Sequence, residues 1–128
     1  MSQETTEVTQ GDGYAVGNID AMGEGPGFRK VRRELDVSQF GVNAIVIPAG
    51  YETGSHYHDE QEELYFVHSG SLQFTFGDDE EFTLGPGGLA RVDAATHRRV
   101  KNVGDEDAVY VCVGGKGGYV GRDGQEVS

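Results

Sequence analysis

Apolar residues come in short bursts along the chain, and each burst ends in glycine, proline or acidic residues. The stretch "FGVNAIVIPAG" (40–50) is almost continuously apolar and stops at Pro48 and Gly50, the pattern of a strand buried on both faces. In "EELYFVHSG" (62–70) Glu63, Tyr65 and Val67 share one parity, while Glu62, Leu64, Phe66 and His68 share the other. "SLQFTFGDDEEFTLGPGG" (71–88) reads as a hairpin: Leu72, Phe74 and Phe76 alternate with Gln73 and Thr75, and Gly77-Asp78-Asp79 makes the turn. Residues 89–115 supply two more strands, broken at 93–96 and at 104–107. "FRKVRRELD" (28–36) is strand-like, with Phe28, Val31 and Leu35 as its apolar members. Short strands at roughly eight- to twelve-residue spacing predict an all-β sandwich, barrel or jelly roll. Residues 1–27 form a polar, glycine-rich N-terminal arm with one short strand at 14–19, residues 28–115 the β-barrel, and residues 116–128 a C-terminal coil.

Composition narrows this picture. At 128 residues the chain is enough for one core, and 21 glycines against 3 prolines imply many tight turns. A net charge of −12 makes the chain acidic and excludes nucleic acid or an anionic membrane as partner, since phosphate contact needs clustered cations. The basic window at 29–33 stands out in so acidic a chain. It reads either as an edge strand made repulsive to further pairing or as a complementary surface for a second subunit. Cys112 is the single cysteine, so no internal disulfide exists, and "VYVCVGG" predicts an inert core thiol in a reducing compartment. "MSQETTEVTQ" has no basic region and no apolar run, so a cytoplasmic location is expected. "GGKGG" (114–118) lacks the spacing and the following Ser or Thr of a phosphate loop.

The candidate chemistry lies between Gly50 and Gly70. His56 and His58 stand at i and i+2, so in a strand they point the same way with Cβ atoms ~7 Å apart. Glu63 lies in the next strand, across a short polar break, and can approach the same point from the side. Two neutral imidazoles and one carboxylate suit Fe(II), Zn(II) and Mn(II), and leave open positions for water, oxygen or substrate.

This stretch resembles the first motif of the cupins, G-x5-H-x-H-x(3,4)-E-x6-G, with Gly50, His56, His58, Glu63 and Gly70 filling every position. The resemblance spans about residues 40–113 and implies a conserved-barrel cupin, a double-stranded β-helix with its metal ligands inside. It also implies a divalent ion (Fe, Mn, Zn or Ni) and a homodimer built by sheet-to-sheet or exchanged-strand contacts. The second motif, G-x5-P-x-G-x2-H-x3-N, keeps its spacing from Gly87 to Asn102 but carries Asp93, Ala95 and Arg98 where the family has Pro, Gly and the fourth ligand, His.

Three readings of Arg98 stand open. The metal is retained on His56, His58 and Glu63, with Arg98 clamping a small anionic molecule beside it. A one-residue bulge turns His97 inward as a fourth ligand. Or no metal binds, and Arg98 replaces it by pairing with Glu63 while the histidines become pocket residues. Tyr65, Phe74 and Arg98 are pocket candidates. The fold hosts many functions. A metal-dependent oxygenase, isomerase or decarboxylase and a ligand-binding or sensing module remain equally open.

Overall fold

The computed structural model describes residues 2–127. Its strands are β1 (Thr9–Gly11), β2 (Tyr14–Val16), β3 (Gly27–Arg29), β4 (Gly41–Ile47), β5 (His56–His58), β6 (Glu62–Ser69), β7 (Leu72–Phe76), β8 (Glu80–Leu84), β9 (Leu89–Val92), β10 (Arg98–Asn102), β11 (Ala108–Gly115) and β12 (Gly124–Glu126). Helical structure is confined, among the described residues, to a 3-10 turn at Ile19–Ala21 and α1 (Val31–Leu35). No helix of the described residues is long and apolar enough to cross a membrane.

Two five-stranded antiparallel sheets, in the orders β12-β5-β10-β7-β8 and β3-β4-β11-β6-β9, form the double-stranded β-helix, and β1 and β2 make a separate ribbon. The alternation read in the sequence decides which side chains fill the space between them. β6 runs strictly exposed and buried, with Glu63, Tyr65 and Val67 inward and Glu62, Leu64, Phe66 and His68 outward. Ile45, Ile47, Val67, Leu72, Phe74, Val92, Val100 and Tyr110 meet them in one core. Each such side chain contributes roughly 1.5–3 kcal/mol through burial. The turn from β6 to β7 needs glycine at 70, where φ is +89° and a Cβ would stand 2.4 Å from that of Ala108. Asn102 is buried and donates from Nδ2 to the carbonyls of Ile47 and Glu106, tying β10 to the loop before β11.

Several expectations need correction. Residues 28–36 are not one strand: β3 ends at Arg29 and α1 follows, closed by Asp36 in the left-handed region. The reason is visible in the spacing, because Val31 stands three residues after Phe28 and four before Leu35, a helical period that one face of a strand cannot hold. The edge-strand reading of the basic window therefore falls. Arg29 is buried with its guanidinium on the Gly25 carbonyl, and Arg32 lies 3.9 Å over the Tyr119 ring. The strand expected at 14–19 ends at Val16 and pairs with β1, which had not been foreseen. The segment 89–115 holds three strands, one on each side of its two breaks. The tail is not simply coil: β12 pairs with β5, joining Gly124 to His58 and Glu126 to His56.

Candidate metal centre

His56 and His58 come from β5, and Glu63 is the second residue of β6, in the other sheet. Strand pleating aims both imidazoles inward, with ring centroids 5.4 Å apart and planes at 76°. One ligand atom from each of His56, His58 and Glu63 lies within 4.8 Å of the others. Residues on two strands of different sheets have thus been brought to ion-binding range. The three also line one cavity of about 350 Å³, together with Tyr65, Tyr110, Cys112 and Arg122. A second, wider space of about 610 Å³ meets it at His56 and is walled by Phe28, Ile47, Pro48 and Tyr51.

Glu63 is held as a carboxylate. Burial pushes its pKa up, but the His58 ring, the Tyr65 hydroxyl and the Cys112 thiol overcome this and bring it to about 2. The Tyr65 hydroxyl donates to Oε1 at 2.7 Å, and the Cys112 thiol lies 3.1 Å from Oε2. Both donors stay protonated, because burial and the adjoining carboxylate raise their own pKa values well above the ordinary range. His56 is pushed the other way, lowered by burial and by the Arg98 charge, which keeps its imidazole neutral and available as a ligand.

The residues fit a metal ion on one further observation. His58 is 7% exposed, and its Nε2 is buried without a hydrogen-bond partner although Glu63 Oε1 stands 3.2 Å away, off the line a hydrogen bond requires. A buried nitrogen left in that state costs about 1–3 kcal/mol, and an ion on its lone pair removes the penalty.

Arg98 is 0% exposed and stands opposite His56 in the ladder. Its guanidinium donates to the carbonyls of Asp93 at 3.0 Å and Ala94 at 3.3 Å, and Nε lies 4.0 Å from Glu63 Oε1. It lines neither cavity, so the anion-clamp role expected of it is not available to its side chain. Phe74, also expected in the pocket, belongs to the closed core, whereas Tyr65 does reach the cavity. His97 is exposed and stacks on Tyr57 at 5.1 Å, and the regular ladder of β10 with β7 starts at Arg98, so no bulge turns His97 inward. Cys112 packs against the core as a protonated thiol, and it also sits on the Glu63 carboxylate, which had not been foreseen. Gln61, Asp123 and Arg122 around the site were missed. Gln61 falls in the break between strands, and the other two lie in a tail with no periodic signal.

Glu63 makes acid stability measurable. Its pKa of about 2, against an ordinary 4.5, means its contribution is fully present above pH 4.5 and is lost as pH falls from there towards 2. That shift corresponds to about 3 kcal/mol in the metal-free protein. Urea unfolding between pH 6 and pH 2 in the presence of a chelator is expected to show this slope, and Glu63→Gln is expected to remove it. An equal slope in both proteins would count against it.

A family profile described as a cupin domain matches residues 43–114, more than half of the chain. The chain belongs to the cupin domain family. No curated protein matches it. Among solved structures it is similar to a cupin-superfamily sugar phosphate isomerase from Silicibacter pomeroyi, at 28% identity and a TM-score of 0.64 over 70% of this chain and 58% of that one. The chain thus spans little more than half the length of that relative. It also resembles an uncharacterized conserved protein with a double-stranded β-helix domain from Klebsiella pneumoniae, with a TM-score of 0.74 and 20% identity over 88% of this chain and 96% of that one. A cupin protein from Bacteroides fragilis follows at a TM-score of 0.64 and 23% identity, over 73% of this chain and 77% of that one. The last two likenesses speak to the fold alone.

Proposed function

We propose that the protein holds one divalent metal ion on His56, His58 and Glu63 and acts on a small, anionic molecule bound beside it. The observation that carries this is the convergence of the three donor atoms within 4.8 Å. The donor set suits Fe, Mn, Zn or Ni, and an ion bound there supplies a Lewis acid or an oxygen-binding centre. The chain's own residues supply the rest. Tyr65 and Cys112 each hold one oxygen of Glu63 and so orient the carboxylate, and residues of β4 and β11 wall the cavity beside it.

Charge argues for an anion. Neutral imidazoles, one carboxylate, the buried Arg98 and a dication sum to about +2, a cost that a negative ligand offsets. With Arg98 closed off, Arg122 is the cavity-lining side chain with a fixed positive charge, and it is exposed where a ligand would enter. The likeness to a sugar phosphate isomerase supports a substrate of that size and sign. The competing reading, a metal-free binding module, rests on the approach of Arg98 Nε to Glu63 at 4.0 Å, which already balances the buried charges. A homodimer belongs to the same proposal, supported by the apolar outer face of β6 and β9, where Leu64, Phe66 and Leu89 are exposed.

Elemental analysis of protein purified without chelator tests the metal. One equivalent of a transition metal per chain is expected, with light scattering at moderate salt giving twice 13.8 kDa. Metal-free protein that takes up none on reconstitution leaves the binding-module reading. Turnover of sugar phosphates by the loaded protein alone would make it an enzyme.

A further inference from the structure

β5, the strand that carries both histidines, is three residues long and weakly held by its own sheet neighbour. Its ladder with β10 consists of the single pair His56–Arg98. On the other side β12 gives it three pairs, Gly124–His58, Gln125–Tyr57 and Glu126–His56. Further bonds bind the tail to the same strand and loop: the Asp59 N–H donates to the Asp123 carbonyl at 3.2 Å, the Val127 N–H to the Ser55 carbonyl at 2.9 Å, and the Gln125 amide to Asp59 at 2.9 Å. The tail also reaches the ligand itself. Asp123 is 6% exposed, and its Oδ2 accepts the N–H groups of Glu60 and Gln61 at 2.9 and 2.8 Å while standing 3.6 Å from His58 Nδ1. The Gln61 amide nitrogen is 3.0 Å from that same Nδ1. Gly124 lies against the ring, leaving a Cβ only 3.4 Å from His58 Cε1.

Two buried atoms around this ring lack partners, His58 Nε2 and Gln61 Oε1. One rearrangement satisfies Gln61 Oε1 and leaves His58 Nε2 as a free acceptor. A half-turn of the Gln61 amide brings Oε1 to His58 Nδ1, which then donates its proton to Oε1 with the Asp123 carboxylate behind it. The Nε2 lone pair is left facing the cavity. A histidine ligand whose second nitrogen donates to an amide oxygen and a carboxylate is fixed in tautomer and ring angle, and is a stronger base. We propose that Asp123 and Gln61 are positioning residues for the metal, holding His58 so that Nε2 is its ligand atom, and that the strap Arg122–Glu126 is part of the metal site.

This rests on the metal reading above, and the experiment separates the two. Zinc affinity of the full chain is measured by competition with a chromophoric chelator at pH 7.5, for the natural protein, Asp123→Asn and Gln61→Leu. Each variant is expected to bind zinc about 10- to 100-fold more weakly. Circular dichroism identifies any variant that fails to fold, and the imidazole nitrogen spectrum of the natural zinc-loaded protein needs no variant at all. In that spectrum His58 is expected to bind through Nε2 and to keep a slowly exchanging Nδ1 proton. Tight zinc binding by the natural protein together with unchanged affinity in folded variants, or ligation through Nδ1, overturns the positioning role alone. No zinc binding by the natural protein overturns it together with the metal reading.

Discussion

Arg98→Met is expected to lower the stability of the metal-free protein by about 3–5 kcal/mol, the cost of removing one partner from a buried charge pair. Three effects add in the same direction. The Glu63 carboxylate loses the cation that stands 4.0 Å from it inside the barrel. The carbonyls of Asp93 and Ala94 lose donors, and Ala94 also receives the His58 N–H at 2.8 Å, so the loop that supports β5 loosens. Uptake of a proton by Glu63 and the apolar fill from methionine offset part of this. Arg98→Lys keeps the charge but not the planar fork that serves two carbonyls, and is expected to fall between. A bound dication supplies positive charge where Arg98 did, so zinc is expected to rescue Arg98→Met by more than it stabilises the natural protein. Urea unfolding with chelator and with zinc reads all of these. A change below about 1 kcal/mol in chelator would show that the guanidinium is not the counter-charge of Glu63.

His58→Ala is expected to weaken metal binding by more than about a hundredfold, beyond the loss typical of a residue that only supports a ligand. The imidazole has Gln61 and Asp123 at 3.0 and 3.6 Å from Nδ1, and its Nε2 stands 3.2 Å from Glu63 Oε1 without a hydrogen bond. Its removal deletes a donor atom and leaves Gln61 without its side-chain partner in a buried position. His97→Ala is the matched control. That ring is exposed and stacked on Tyr57, so zinc affinity is expected to stay within about twofold, about 0.4 kcal/mol against about 2.7 kcal/mol for a hundredfold loss. Titration calorimetry with zinc distinguishes the two. Equal affinities for natural protein and His58→Ala would place the metal elsewhere, and a large loss in His97→Ala would restore the bulged arrangement of β10.

The substitution of the fourth family histidine by Arg98 had suggested a cationic hand reaching for substrate. In the structure that charge is fully buried, with its Nε 4.0 Å from Glu63 Oε1. Arginine can do this because its planar fork satisfies two carbonyls at once while its charge stays within the barrel. The cation that lines the cavity is Arg122, in the C-terminal tail.

What was legible without coordinates follows from local periodicity. Alternation in β6 marked which side chains face inward, and the i, i+2 spacing of His56 and His58 placed both on one face, because the strand pleat imposes that parity whatever surrounds it. The same spacing, matched to a family motif, disclosed the barrel and the three residues that lie close enough to hold a metal. Only the folded chain decided the rest, since it depends on contacts between segments distant in sequence. Val31 and Leu35 became a helix because their face meets β4 and not a sheet edge, and Cys112 became a donor to Glu63 because β11 lies beside β6. Asp123 reached His58 across a gap that no periodic signal spans, because a polar tail without alternation is ordered by the strand it pairs with and not by its own pattern.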